Sequence, residues 1–98
     1  MGIRSFKNKA TKDINYGKNT KDALRILPGK LHTKAQIKLA RLGAATSIND
    51  LREIRGNRFE VLTGDRKGQY SIRINDQYRI CFIWKEDDAM EVEIVDCH

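Results

Sequence analysis

From Phe59 onward the apolar residues recur at every second position in short runs, and this alternation limits the fold more than any other feature of the chain. Phe59, Val61 and Leu62 open the series. Tyr70, Ile72 and Ile74 then alternate with Ser71, Arg73 and Asn75. Tyr78, Ile80, Phe82 and Trp84 alternate with Arg79, Cys81 and Ile83, and Met90, Val92 and Ile94 alternate with Glu91 and Glu93. The breaks between runs are Gly64-Asp65-Arg66-Lys67-Gly68, Asn75-Asp76-Gln77 and Glu86-Asp87-Asp88. Breaks this short are hairpin turns, so the pattern predicts an antiparallel meander. One face would carry Tyr70, Ile72, Ile74, Tyr78, Ile80, Phe82, Trp84, Met90, Val92 and Ile94. The other would carry Ser71, Arg73, Arg79 and Cys81.

An apolar sheet face must be covered, and the first half of the chain has the helical period to cover it. In residues 30–45, Leu31, Ala35, Leu39 and Leu42 lie three or four apart with Ile37 and Ala40 beside them, while Lys30, Lys34, Lys38 and Arg41 fall between. That spacing predicts an amphipathic helix with a basic outer face. Asn8 to Tyr16 is polar and closed by Gly17, as a helix ended at a C-cap glycine would be. A short helical piece is expected between Asn19 and Gly29, and another after Ser47 or Asn49, through Ile48, Leu51 and Ile54. Ile3 to Phe6 reads as an edge strand. Helices come first and strands later, so the expected class is α+β: an N-terminal strand and two main helices on one face of a mainly antiparallel sheet, with residues 1–98 as a single domain.

Charge is distributed unevenly. Residues 1–49 hold 11 Lys/Arg against 2 Asp/Glu, a balance of +9, whereas residues 50–98 hold 8 against 11 and stand at −3. A half this basic is attracted to polyanions, and nucleic acid is the usual one; a solvated lysine-rich helix surface gives the same count. Two arginines on neighbouring strands, Arg73 and Arg79, also have two readings: a phosphate surface, or ion pairs with Glu91 and Glu93.

Several chemistries are excluded. The histidines are His32 and His98, no His/Cys/Asp spacing makes a zinc site, and no nucleotide-binding glycine pattern or Ser-His-Asp signature is readable. No metal or cofactor is expected. No apolar run approaches the ~20 residues of a membrane span. The start lacks a secretory apolar stretch, and the two cysteines, Cys81 and Cys97, make no disulfide framework, so a reduced cytoplasm is expected. What remains is metal-free acid/base chemistry assisted by cations. RNA suits it because the 2′-hydroxyl is an internal nucleophile. Asp96-Cys97-His98 at the end of the sequence, with Arg79 and Arg73 on the sheet, is a candidate set, in which His98 supplies the side-chain type that ordinarily titrates near neutrality.

The run Gly64-Asp65-Arg66-Lys67-Gly68-Gln69-Tyr70-Ser71-Ile72-Arg73-Ile74-Asn75-Asp76-Gln77-Tyr78-Arg79-Ile80-Cys81-Phe82 resembles the signature of HigB toxins in the RelE superfamily, and Val92-Glu93-Ile94-Val95-Asp96-Cys97-His98 resembles that family's terminus. Ile3 to Lys7 and Ala44 to Leu51 also fit, so the resemblance spans essentially the whole chain. It implies a RelE-like fold and a type II toxin–antitoxin toxin that cleaves mRNA on the translating ribosome without a metal. The implied partners are a HigA-type helix-turn-helix antitoxin, mRNA and ribosomal RNA, with operator DNA reached only through the antitoxin. By resemblance Arg79 would stabilise the scissile phosphate, and Asp96 and His98 would be catalytic. Arg66 and Arg73 would hold RNA, and the basic helix face with Lys34 and Lys38 would meet ribosomal RNA. Two positions depart from the family pattern. Cys97 stands where the family has a tyrosine that can stack on a base, and Glu60 stands where some relatives have a catalytic histidine; Glu60 can still act as a base. The alternatives are a catalytically weakened homologue that binds an antitoxin and regulates its operon, and a non-catalytic RNA-binding protein.

Overall fold

The computed structural model describes residues 2–96. In chain order these form β1 (Gly2–Ile3), α1 (Lys9–Asn15), α2 (Lys21–Ile26), α3 (His32–Ala44), α4 (Ile48–Arg52), β2 (Glu60–Val61), β3 (Tyr70–Arg73), β4 (Tyr78–Lys85) and β5 (Asp88–Asp96). The strands make one sheet in the order β1-β5-β4-β3-β2, with β1 parallel to β5 and every other pair antiparallel. The expected α+β class and C-terminal meander are therefore observed. α1 and α3 are the two main helices, and α2 and α4 are the expected short pieces.

Turn chemistry sets the register of the meander. Asn75 Oδ1 accepts from the backbone N–H groups of Gln77 at 2.9 Å and Tyr78 at 2.8 Å, closing the β3–β4 turn. Between β4 and β5, Lys85 pairs with Asp88, and the two residues between them, Glu86 and Asp87, have φ of 54° and 64°. Two positive φ angles in a two-residue loop match the right-handed twist of the flanking strands.

The core lies between the helices and one face of the sheet. Ile14, Leu27, Leu39, Leu42 and Leu51 meet Ile72, Ile74, Ile80, Phe82, Val92 and Ile94 there, all at most 4% exposed. Met90 departs from the expected face. Pairing runs Ile80–Ile94 and Cys81–Glu93, then resumes at Ile83–Met90, so Glu91 and Val92 together stand opposite Phe82. This β-bulge inverts the alternation beyond it. Met90 shares a face with Ile83, and fully buried Ala89, paired with Trp84, takes the inward position.

The same bulge breaks the N-terminal strand. Glu91, at φ 52°, gives its N–H to Ser5 Oγ at 2.8 Å, and Val92 N–H goes to the Ser5 carbonyl at 3.1 Å. Strand pairing is thus confined to Gly2–Ile3, with a separate bridge from Phe6 to Val92. Further along β5 the backbone N–H of Ile94 donates to Thr11 Oγ1 at 3.1 Å, tying α1 to the sheet.

Caps define the helices. Asn8 Oδ1 accepts from Thr11 N–H at 2.8 Å and starts α1, which ends just before Gly17 at φ 74°. Thr20 Oγ1 accepts from Ala23 N–H at 3.2 Å to start α2 and donates to Asp13 Oδ2 at 2.7 Å. Lys9 Nζ also donates to Asp13 Oδ2 at 2.7 Å. These bonds hold the Asp13 carboxyl below its ordinary pKa, Lys9 contributing most.

α3 buries Ala35, Leu39 and Leu42 as expected, but two of its residues are misplaced by a simple stripe. Ile37 is 49% exposed, and Lys38 is 7% exposed. Lys38 therefore does not belong to the basic outer face. Its ammonium turns inward and donates to Asn57 Oδ1 at 2.7 Å. Lys34 and Arg41 remain exposed.

Candidate active site on the open face of the sheet

The sheet face away from the helices carries a hollow of about 370 Å³. Its lining includes Glu60 from β2, Arg66 from the turn after it, Ser71 from β3, Arg79 and Cys81 from β4, and Asp96 at the end of β5. The register explains the convergence. Glu60 pairs with Ser71 and Ser71 with Cys81, so side chains from three strands point to the same side.

Arg79 is the fixed point of this site. Its side chain is 14% exposed and each nitrogen of the guanidinium has a partner. Nε donates to Ser71 Oγ at 2.7 Å, Nη2 donates to the Arg58 carbonyl at 2.6 Å, and Nη1 lies 3.4 Å from Glu60 Oε1. Ser71 is fully buried, so the first bond is shielded from water. The Arg58 carbonyl reaches Arg79 because Arg58 sits in the left-handed region, φ 42° and ψ 56°, at the end of a 3₁₀ turn over Arg55–Asn57. A planar cation held this way presents one edge in a fixed orientation.

The other candidates are distributed around it. Arg66 Nη1 donates to Glu93 Oε1 and to Gln69 Oε1, each at 3.1 Å. Asp96 is exposed and its Oδ2 accepts from Gln77 Nε2 at 3.0 Å. Arg73 pairs with Arg79 in the β3–β4 register but lies beside the hollow, where Nη2 bonds the Asp76 carboxylate. The alternative reading, in which Arg73 and Arg79 pair with Glu91 and Glu93, is not what is found: their carboxylate partners are Asp76 and Glu60.

Four expected residues, Glu60, Arg66, Arg79 and Asp96, thus meet in one hollow. Lys34 lies on α3, in the helical layer, and Lys38 is buried there. Cys97 and His98 lie outside the described residues. Two contributors had no role assigned from sequence: Ser71, visible as a small polar residue on the right face, and the Arg58 carbonyl, which no side-chain pattern could signal. Among the described residues no group of three or more His, Cys, Asp or Glu could hold a metal ion, and no helix is long and apolar enough to cross a membrane.

Comparison with known proteins places this architecture. Two solved structures of the YoeB–YefM complex from Staphylococcus aureus, one of them described as a crystal structure of the heterotetrameric toxin–antitoxin complex, contain chains of the same fold. One superposes with a TM-score of 0.59 at 19% identity, covering 100% of this chain and 99% of that one. The other gives 0.56 at 20% identity, covering 99% and 95%. Residues 4–98 match the family model described as the RelE-like toxin of the type II toxin–antitoxin system HigB, which makes the chain a toxin of the RelE-like class. Within that class it belongs to the HigB-like toxin family. Toxin HigB-1 of Vibrio cholerae is 44% identical over 66 residues, 67% of this chain and 70% of that protein. An uncharacterized protein of Haemophilus influenzae is 37% identical over 63 residues, covering 64% and 62%.

Proposed function

We propose that this HigB-like toxin is an endoribonuclease that cleaves mRNA on the translating ribosome, without a metal, and that the hollow around Arg79 is its active site. The observation that carries this reading is the immobilised Arg79 guanidinium beside the Glu60 carboxylate. A phosphodiester entering the hollow takes the place at Nη1 that Glu60 occupies in the free protein. Glu60 then accepts the proton of the 2′-hydroxyl as its oxygen attacks phosphorus. The bond from phosphorus to the 5′-oxygen breaks, and that oxygen takes a proton from the C-terminal group, Asp96 with His98. The products are a 2′,3′-cyclic phosphate and a 5′-hydroxyl. Arg79 stabilises the negative charge that builds on the phosphorane oxygens. Arg66 and Arg73 hold the flanking phosphates, and Lys34 on α3 and Cys97 contribute further RNA contacts.

A helix-turn-helix antitoxin of the HigA type is the proposed partner, with operator DNA bound through it and ribosomal RNA bound through the basic N-terminal half. The protein is proposed to act in the cytoplasm as one domain. The test is expression in a bacterium that lacks a matching antitoxin, with mRNA 5′ ends mapped before and after induction. Growth arrest with new 5′ ends at codon-phased positions in translated messages is expected. Normal growth with intact messages overturns the nuclease reading.

A further inference from the structure

Lys38 is a buried cation with no role in the chemistry just described. It is 7% exposed, and the charged groups that act on it are Arg41, Lys34 and Arg73, all of its own sign. Burial, reinforced by these cations, pulls its pKa below the ordinary lysine value. A charge in that setting is unfavourable unless a specific bond offsets it. The bond is to Asn57, which is fully buried. Asn57 Oδ1 accepts from Lys38 Nζ at 2.7 Å, and its Nδ2 donates to the Leu51 carbonyl at 3.1 Å. Both ends of the amide are therefore used, one toward α3 and one toward α4.

The next residue is Arg58, the non-glycine in left-handed conformation whose carbonyl accepts from Arg79 Nη2 at 2.6 Å. A left-handed L-residue costs energy and persists only where its surroundings fix it. The anchored Asn57 side chain supplies that constraint. We propose that Lys38 and Asn57 are positioning residues: their buried bond locks the 55–58 turn so that the Arg58 carbonyl aims the Arg79 guanidinium into the hollow. This rests on the nuclease reading for its kinetic consequence but not for its geometry.

The experiment therefore has two readouts. The first needs no activity: the 1H–15N signal of the Arg79 side-chain Nε in the free toxin. In wild type this N–H, bonded to buried Ser71, is expected to exchange slowly with solvent. In Lys38→Met the exchange is expected to speed up at least about ten-fold as the guanidinium loosens. Lys38→Gln, which keeps an N–H donor, should restore most of the protection, and Lys34→Met on the exposed side of α3 should leave it unchanged. Arg58→Pro, which cannot adopt a φ of +42° and also restricts Asn57 before it, perturbs the same signal by breaking the turn from its other end and serves if Lys38→Met does not fold.

The second readout is single-turnover mRNA cleavage on ribosomes. Lys38→Met is expected to lower the rate constant roughly ten- to a hundred-fold, with half-saturation little changed. In an Arg79→Ala background the same substitution should cost nothing more, because both act through one group. An unchanged Arg79 signal in Lys38→Met and Arg58→Pro overturns the positioning role, as does an additive rate loss in the Arg79→Ala background. A perturbed signal with no cleavage by wild type, or equal cleavage by Arg79→Ala, leaves the geometric link standing and removes the nuclease reading instead.

Discussion

Replacing Arg79 with lysine keeps the charge and removes the shape, so it separates an electrostatic role from an oriented one. The guanidinium meets Ser71 Oγ at 2.7 Å, the Arg58 carbonyl at 2.6 Å and Glu60 Oε1 at 3.4 Å through three different nitrogens. A lysine ammonium is a single nitrogen on a flexible stem and can serve at most one of these directions with fixed geometry. Loss of one pre-aimed donor to a developing oxyanion lowers rates by about 10²–10³, equivalent to roughly 2.7–4 kcal/mol. The folded state should suffer too. The bonds to Ser71 and the Arg58 carbonyl have an ionised donor, so losing one costs about 1.5–3 kcal/mol, and each kcal/mol lowers the melting temperature of a domain this size by roughly 4–8 °C. The assay is single-turnover cleavage of a defined message on purified ribosomes with Arg79→Lys in excess, beside thermal melting of the same preparation. A rate within about three-fold of wild type, in a protein that melts cooperatively, would refute the claim that the fixed fork matters.

Thr11→Val removes the acceptor for Ile94 N–H inside the core at nearly constant volume; we expect a loss of about 1–3 kcal/mol in urea unfolding, and an unchanged midpoint would show that this bond contributes nothing net. Asp13 titrates below its ordinary 3.8 because Lys9 and Thr20 bond the ionised form. Its contribution to stability is therefore complete above pH 3.8 and is lost as pH falls below that value through the folded-state pKa. Asp13→Asn should flatten the acid limb of stability against pH, and an acid limb identical to wild type would contradict this. Glu91 holds φ 52° at the β5 bulge, so Glu91→Gly is expected to stabilise by about 0.5–1 kcal/mol and Glu91→Val to destabilise; the reverse order in denaturant midpoints would sink the strain argument.

The meander was legible because its signal is local. Alternation along Tyr70–Arg73 and Tyr78–Lys85 and the asparagine at Asn75 set pairing within a few residues, and the structure follows them. The same locality brought Glu60 and Arg79 onto the open side, since register decides which strand side chains share it, whereas Arg66 reaches the hollow from the turn after β2 and Asp96, paired with Tyr78, from the end of β5. Met90 shows where that logic stops. Nothing around Met90-Glu91-Val92 signals a bulge: the extra residue is stabilised by Ser5, 86 positions away, and a glutamate rather than a glycine takes the positive φ. Two bonds from one distant residue, Ser5, accompany the shift that puts a methionine on the other face.

Lys38 fails to be legible for a related reason, and the reason bears on the site. A lysine on a helix is read as solvated because an isolated ammonium is too costly to bury. The reading changes only when a buried acceptor is supplied elsewhere, and Asn57 lies 19 positions away in a turn that looks like an ordinary loop. Composition counts Lys38 toward the basic surface of the N-terminal half, yet its charge is spent inside, on the side of the chain that braces Arg58 and through it Arg79. The basic half of this toxin thus divides in two: exposed lysines and arginines such as Lys34 and Arg41 that can meet a phosphate directly, and one inward lysine whose ammonium is bonded to Asn57 and offers no contact to a polyanion. Lys34→Met should accordingly weaken salt-dependent RNA association, whereas Lys38→Met should alter the reaction and leave the salt dependence of association as it is.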